Sequence, residues 1–284
     1  MFVARPPMPL LRPFVAQLWA TDDAGAGTHT VTPVEHTLPT GLMHLVFRLD
    51  DAPLRLRESP QDAGVLLRGA LVGGARSRYV IRERSAPACS VAAVLRPGAA
   101  SLLFGGGAHE LAGRHTPLDE LWGREAALLR ERLQQAPDAV SRMALLEAAL
   151  AARLPRVRAL HPGIAAVLAR MDAAGSVAAA VAHSGVSHRH FVAQFRAATG
   201  LAPKTWLRVQ RFQCALRQLR RGDALATVAA DAGYSDQAHF GRDFVAFSGV
   251  TPTAYRSRLP PQANHVPVAL PGQISSRLRG ARRG

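Results

Sequence analysis

Residues 229–244 read Ala-Ala-Asp-Ala-Gly-Tyr-Ser-Asp-Gln-Ala-His-Phe-Gly-Arg-Asp-Phe, and this stretch decides how the C-terminal part of the 284-residue chain folds. A looser copy of its pattern starts at Gly185. The turn glycines Gly185 and Gly233 are 48 residues apart, whereas later landmarks such as Phe195 and Phe244 are 49 apart. The second copy therefore has one additional residue in its turn.

Each copy has the residues that a helix-turn-helix unit requires. A glycine supplies the positive φ between two helices. Ser187 can cap the next helix in the first copy, and Ser235 or Asp236 can do so in the second. Two phenylalanines four residues apart lie on one helix face and anchor it to a core. The pattern predicts recognition helices over Ser187–Thr199 and Asp236–Ser248, tied by an amphipathic helix over Lys204–Arg221.

Positive charge is concentrated in the same part of the chain. Residues 156–284 contain 18 Lys and Arg against 5 Asp and Glu, whereas residues 1–155 contain 17 against 15. Such an excess favours a phosphate backbone as partner. The predicted backbone contacts are Arg196, Lys204, Arg208 and Arg211.

Residues 160–256 resemble the DNA-binding module of the AraC/XylS family of bacterial transcription regulators, most closely over Ala229–Arg256. The resemblance implies seven helices, with two recognition helices that enter successive major-groove segments of double-stranded DNA. Arg189, Gln237 and Arg242 are expected to make most of the base hydrogen bonds, because Arg and Gln side chains match guanine and adenine edges. The candidate base contacts are His188, Arg189, Val192, Ala193, Gln237, Ala238, Gly241 and Arg242.

The N-terminal half is predicted to contain strands first and helices later. Short β-like runs separated by turn residues occur at Phe14–Ala20, Met43–Leu49, Val65–Leu71, Tyr79–Ile81 and Ser90–Leu95. Helical patterns follow at Ala99–Phe104, Leu121–Gln135 and Ala139–Leu154. The expected fold class is α+β: a β-rich barrel or sandwich-like domain with helices over 1–155, then an all-α module with two helix-turn-helix units over 156–256. Residues 257–284, rich in Pro and Arg, are predicted to be a disordered basic tail.

Four short segments of this half, at residues 38–47, 95–104, 110–112 and 118–123, resemble a cupin-like domain of unassigned function that is found ahead of AraC-type modules. The resemblance implies a domain that binds an effector or mediates dimerisation. The candidate further partners are therefore a small-molecule effector, RNA polymerase and a second copy of the chain.

An enzyme or a metal-dependent sensor built on the N-terminal barrel is one alternative. His29, His36 and His44 are conceivable metal ligands, with Glu35 or Glu83 completing a site. This half has no His-x-His pair, however, and no recognisable nucleophile or phosphate loop. We therefore expect no catalytic residues, no cofactor and no metal, with His44 as a core or pocket residue.

A non-specific architectural DNA-binding protein is the second alternative, which the duplicated base-facing helices explain less well. No apolar stretch reaches the roughly 20 residues that span a bilayer, and there is no secretory leader pattern. The sequence therefore predicts a cytoplasmic bacterial transcription regulator that binds no membrane.

Overall fold

The computed structural model describes residues 1–22, 34–84, 89–154, 165, 168 and 177–268. The strands in these ranges are β1 (Phe2–Arg5), β2 (Val15–Asp22), β3 (Val34–Thr37), β4 (Met43–Arg48), β5 (Leu54–Arg57), β6 (Val65–Leu67), β7 (Ala70–Gly73), β8 (Val80–Arg84), β9 (Cys89–Leu95), β10 (His115–Pro117) and β11 (His265–Pro267). The helices of the N-terminal half are α1 (Ala99–Phe104), α2 (Ala108–Leu111), α3 (Asp119–Trp122), α4 (Arg124–Gln135) and α5 (Ala139–Arg153). The C-terminal helices are α6 (Val177–Ser184), α7 (His188–Thr199), α8 (Pro203–Arg221), α9 (Leu225–Asp231), α10 (Gln237–Ser248) and α11 (Pro252–Arg258).

The strands form two antiparallel sheets, a larger one in the order β1-β2-β9-β4-β7-β10 and a smaller one in the order β11-β3-β8-β5-β6. Val46 and Leu71 of the larger sheet pack on leucines of the smaller sheet, so these residues face inward between the sheets. Because side chains alternate along a strand, Leu45 and Phe47 point to the opposite face and join the core that includes the helices. The predicted fold class, a β-rich domain with helices followed by a helical module, is confirmed.

Several predicted elements have different boundaries. The run Val65–Leu71 is two strands, because Gly69 has a φ of +64° and turns the chain between them. The helix predicted over Leu121–Gln135 is interrupted at Gly123, whose φ is +57°. The strands β1, β3, β5, β10 and β11 were not predicted. Most of them are short and carry charged residues, and only pairing with distant strands makes them extended.

The predicted disordered tail is wrong for residues 257–268. The strand β11 pairs antiparallel with β3 of the N-terminal half, and its Val266 is fully buried. Upstream of it, Arg220 Nη1 donates a 2.5 Å hydrogen bond to the Pro260 carbonyl oxygen. Burial of Val266 and pairing with β3 order this segment, although its composition, rich in proline and arginine, is typical of disorder. Residues 269–284 lie outside the described part of the chain.

The two halves of the molecule pack against each other and share one cluster of buried apolar residues. Gly98 N, just before α1, donates a 2.8 Å hydrogen bond to the Ala198 carbonyl oxygen in α7. At the other end of the interface, His36 Nδ1 donates a 2.8 Å hydrogen bond to the Ser248 carbonyl oxygen in α10. His36, considered above as a metal ligand, is therefore part of this interface. In the ranges that the structure describes, no helix is long and apolar enough to cross a bilayer.

Candidate nucleic-acid interface

The first helix-turn-helix unit consists of α6 and α7. Gly185 in the turn has a φ of +70°, and the Ser187 side chain accepts a 3.3 Å hydrogen bond from His190 N at the start of α7. Phe191 and Phe195 are fully buried and hold one face of α7 against the core. The positive φ, the cap and the aromatic pair thus take the roles that the sequence predicts.

The second unit consists of α9 and α10. Gly233 has a φ of +73°, and Asp236, rather than Ser235, caps α10 by accepting a 2.6 Å hydrogen bond from His239 N. This hydrogen bond is the main cause that lowers the pKa of the Asp236 carboxyl group. The first residue of α10 lies four positions after its turn glycine, whereas the first residue of α7 lies three positions after its own, so the additional residue does lie in the turn.

The long helix α8 joins the two units through its buried face. Trp206 meets Phe195 of α7 edge-on, with ring centroids 5.9 Å apart. Phe212 contacts Phe244 and Phe247 of α10 at centroid distances of 5.2 Å and 5.0 Å. Because one rigid helix packs against both recognition helices, it fixes their relative orientation, as the predicted amphipathic tie requires.

The faces of α7 and α10 that point away from these contacts carry the candidate base contacts. On α7, Val192 is half-buried and packs partly against the core, which limits how far it can reach toward a base. On α10, Gly241 is half-buried, and a Cβ atom at this position would meet no atom within 4 Å. The exposed members are His188, Arg189, Ala193, Gln237, Ala238 and Arg242.

An open groove of about 620 Å³ runs along the exposed face of α10. Its wall combines the small residues Ala238 and Gly241 with the polar side chains Gln237 and Arg242, and Pro252 at the start of α11 closes one side. Small residues between hydrogen-bonding ones let a base edge approach closely.

The candidate phosphate contacts differ in the interactions that their side chains already make within the protein. Arg196 and Lys204 are exposed. Arg208 Nη2 lies 2.7 Å from Asp243 Oδ1, and this hydrogen-bonded carboxylate raises the pKa of the guanidinium. The Arg211 guanidinium lies over the Tyr234 ring, 5.4 Å from its centroid. Arg208 and Arg211 therefore also pack the module internally, and about half of the Arg208 side chain remains exposed for a phosphate.

A second group of polar residues lies in the N-terminal domain and was not predicted as a group. His44 Nε2 is 3.2 Å from Thr40 Oγ1, and burial lowers the pKa of His44 to about 4. Burial likewise lowers the pKa of His115 to about 3, and His115 contacts Arg76. His44 is largely buried, and only strand pairing reveals that His115 lies beside it. Among the described residues, which exclude His29, no three His, Cys, Asp or Glu side chains converge as metal ligands do.

Comparisons with known proteins agree with this arrangement. Residues 180–258 match a family described as a helix-turn-helix domain, and residues 4–117 match a family described as a domain of unknown function, DUF6597. A search of curated proteins finds no match.

Solved structures of ToxT from Vibrio cholerae are similar in part. ToxT bound to (E)-4-(8-methylnaphthalen-1-yl)but-3-enoic acid has 11% identity and a TM-score of 0.44, over 80% of this chain and 95% of that chain. A further ToxT structure has 8% identity and a TM-score of 0.45, over 90% and 98%. The chain therefore carries a DNA-binding helix-turn-helix domain behind an N-terminal DUF6597 domain of unknown function.

Proposed function

We propose that α7 and α10 read two successive major-groove segments on one face of the duplex. The observation that carries this proposal is the contact of α8 with both recognition helices, which presents them as one rigid unit. Their exposed faces carry Arg189, Gln237 and Arg242, which hydrogen-bond guanine and adenine edges. His188, Val192, Ala193, Ala238 and Gly241 complete the surfaces, with the apolar ones suited to thymine methyl groups.

Phosphate contacts supply the rest of the affinity in this proposal. Arg196 and Lys204 are exposed beside the recognition helices, and Arg208 and Arg211 extend the same basic surface from α8. Each phosphate neutralised releases counterions, so affinity falls steeply as salt rises. These residues position the module without selecting a sequence.

The N-terminal domain acts, in this proposal, as a sensing or dimerisation domain rather than an enzyme. Residues 1–155 make up this domain and residues 156–256 the DNA-binding module, with β11 returning from the module to the N-terminal sheet. A small-molecule effector, RNA polymerase and a second copy of the chain are its further partners. Regulation of transcription places the protein in the bacterial cytoplasm, where the chromosome lies.

Selection of bound sequences from a random duplex pool tests the proposal. With the full-length protein at moderate salt, we expect an enriched motif of two blocks about one helical turn apart. The variant Arg189→Ala should relax specificity at one position of one block, and Arg242→Ala at one position of the other. Salt-sensitive binding without any enriched motif would instead show a non-specific architectural DNA-binding protein.

A further inference from the structure

The ion pair between Arg208 in α8 and Asp243 in α10 joins an exposed arginine to a buried carboxylate. Arg208 Nη2 lies 2.7 Å from Asp243 Oδ1, and Arg208 Nε lies 3.4 Å from Asp243 Oδ2. The Arg208 side chain is 52% exposed, whereas that of Asp243 is only 12% exposed. An aspartate is rarely buried to this extent unless it is paired. Among the described residues, Arg208 provides that pairing.

The two hydrogen bonds use only one edge of the Arg208 guanidinium. Nε and one N–H group of Nη2 face the carboxylate. The other edge, formed by Nη1 and the second N–H group of Nη2, is not used by this pair. The Phe247 ring lies against the same guanidinium, with 5.3 Å between the ring centroid and the central guanidinium carbon. Arg208 is therefore held in one orientation and keeps an edge of parallel N–H groups, which matches two oxygen atoms of a phosphate.

The ion pair lies next to the recognition helix α10. Asp243 directly follows Arg242 in this helix, but the two side chains point in different directions. Arg242 is exposed and lines the groove on the outer face, whereas the Asp243 carboxylate is directed toward α8. The pair therefore places the Arg208 guanidinium beside the helix that is proposed to enter the major groove. Phosphates border that groove on both sides, so a guanidinium beside α10 is well placed to contact one.

We propose that Asp243 is a positioning residue, which holds Arg208 in the orientation in which it binds a DNA phosphate. A free arginine side chain loses rotamer freedom when it is fixed at an interface. Because the buried carboxylate has already fixed Arg208 in the folded protein, DNA binding does not have to order this side chain. The disadvantage is a negative charge close to the DNA backbone. This inference rests on the proposed phosphate contact of Arg208.

An ion pair that only joins α8 to α10 would have the opposite effect on DNA binding. If Asp243 merely neutralises Arg208, removal of the carboxylate charge strengthens binding, because less negative charge then faces the phosphates. If Asp243 positions Arg208, the same change weakens binding. Phosphate contacts carry no sequence information, so the loss must also be equal on any duplex. The sign of the change and its independence of sequence therefore separate the two roles.

Fluorescence anisotropy with the full-length protein tests the assignment, using the selected duplex and a scrambled duplex of equal length over about 50–200 mM salt. Asp243→Asn keeps the shape of the side chain but removes its charge. It should weaken binding to both duplexes by the same factor, about two- to tenfold, which corresponds to the ordering of one long side chain. The matched control is Asp231→Asn, which removes an exposed carboxylate at the end of α9 and should bind at least as tightly as the wild type.

Variants of Arg208 provide the second measurement and leave the sequence of α10 intact. Arg208→Ala should weaken binding more than Asp243→Asn and reduce the salt slope by about one. The double variant should bind no more weakly than Arg208→Ala, because Asp243 acts through Arg208. Arg208→Lys retains the charge but loses the paired N–H edge, so its affinity should fall between those of the wild type and Arg208→Ala.

Three results would overturn the assignment. The first is binding by Asp243→Asn that is as tight as that of the wild type or tighter. The second is a larger loss on the selected duplex than on the scrambled one, which would mean that Asp243 orients α10 for base reading. The third is wild-type affinity of Arg208→Lys. A wild type that binds both duplexes equally would instead count against sequence-specific reading, and the scrambled duplex would still decide the role of Asp243.

Discussion

Gly241 stands on the exposed face of α10, between residues that are proposed to touch bases. A Cβ atom at this position would meet nothing within 4 Å, so alanine fits the folded protein without displacing any neighbour. Gly241→Ala should raise the free energy of unfolding by up to about 1 kcal/mol, because alanine is the better helix former. The same methyl group would lie between α10 and the DNA major groove, so DNA affinity should fall. Chemical denaturation and fluorescence anisotropy with the selected duplex measure the two effects.

A matched control is Ala246→Gly, at an exposed position one to two turns further along α10. It should lower stability by about 1 kcal/mol and leave DNA affinity unchanged. An unchanged affinity of Gly241→Ala would show that this face of α10 does not approach DNA.

Arg242 is exposed and lines the same groove. Arg242→Ala should cost about 1–3 kcal/mol of binding to the preferred duplex and relax specificity at one base position. Exposed Arg256 in α11 is the comparison, since Arg256→Ala removes an equal charge outside the recognition helix. If Arg242→Ala weakened binding to every sequence equally, Arg242 would be a phosphate contact.

At the scale of the element, two glycines with nearly the same backbone conformation have very different surroundings. Gly233, in the turn before α10, has a φ of +73°, and a Cβ atom there would come no closer than 3.9 Å to Arg211. Gly249, which ends α10, has a φ of +72°, but its Cβ atom would lie 2.6 Å from the His36 ring and 2.7 Å from Tyr79. Of these two glycines, only Gly249 is packed against the N-terminal domain.

Substitution of each glycine by alanine separates the cost of the left-handed backbone conformation from the cost of contacts with the N-terminal domain. Gly233→Ala should cost about 1–2 kcal/mol, because the left-handed conformation is strained for any residue with a Cβ atom. Gly249→Ala should cost clearly more, since His36 and Tyr79 must also move. Equilibrium unfolding in urea provides both values. Equal losses for the two variants would contradict the packing of α10 on the N-terminal domain.

The whole molecule should lose stability in mild acid. Burial lowers the pKa of His44 to about 4 and that of His115 to about 3, from an ordinary value of 6.5. Below pH 6.5 the unfolded chain therefore takes up protons that the folded protein does not, so the free energy of unfolding falls as the pH drops toward 4. Each imidazole contributes at most about 1.4 kcal/mol per pH unit.

Urea unfolding at pH 7.5, 6 and 5 measures this dependence. His115→Asn should flatten the slope, because one of the two groups that protonate only on unfolding is absent. The exposed His188 is the control, and its replacement by asparagine should leave the slope as in the wild type. A slope unaffected by His115→Asn would mean that other groups cause the acid sensitivity.

The sequence by itself determined the DNA-binding half, because the signals there are local. Helix caps such as Ser187, turn glycines such as Gly233 and phenylalanines spaced by one helical turn act within a few residues of the structure they specify. Both recognition helices and α8 accordingly begin within one residue of the predicted positions. The exposed faces of these helices follow from the same periodicity.

Only the tertiary structure decided what depends on contacts between distant residues. The strand β11 is apolar only at Val266, and its pairing with β3 joins segments more than 220 residues apart in the chain. His44 and His115 become neighbours through the register of β4, β7 and β10, which no local pattern encodes. Strand pairing and burial are properties of the assembled core. For that reason the helices of the two helix-turn-helix units were predictable from the sequence, whereas the pairing of β11 with β3 and the proximity of His44 and His115 were not.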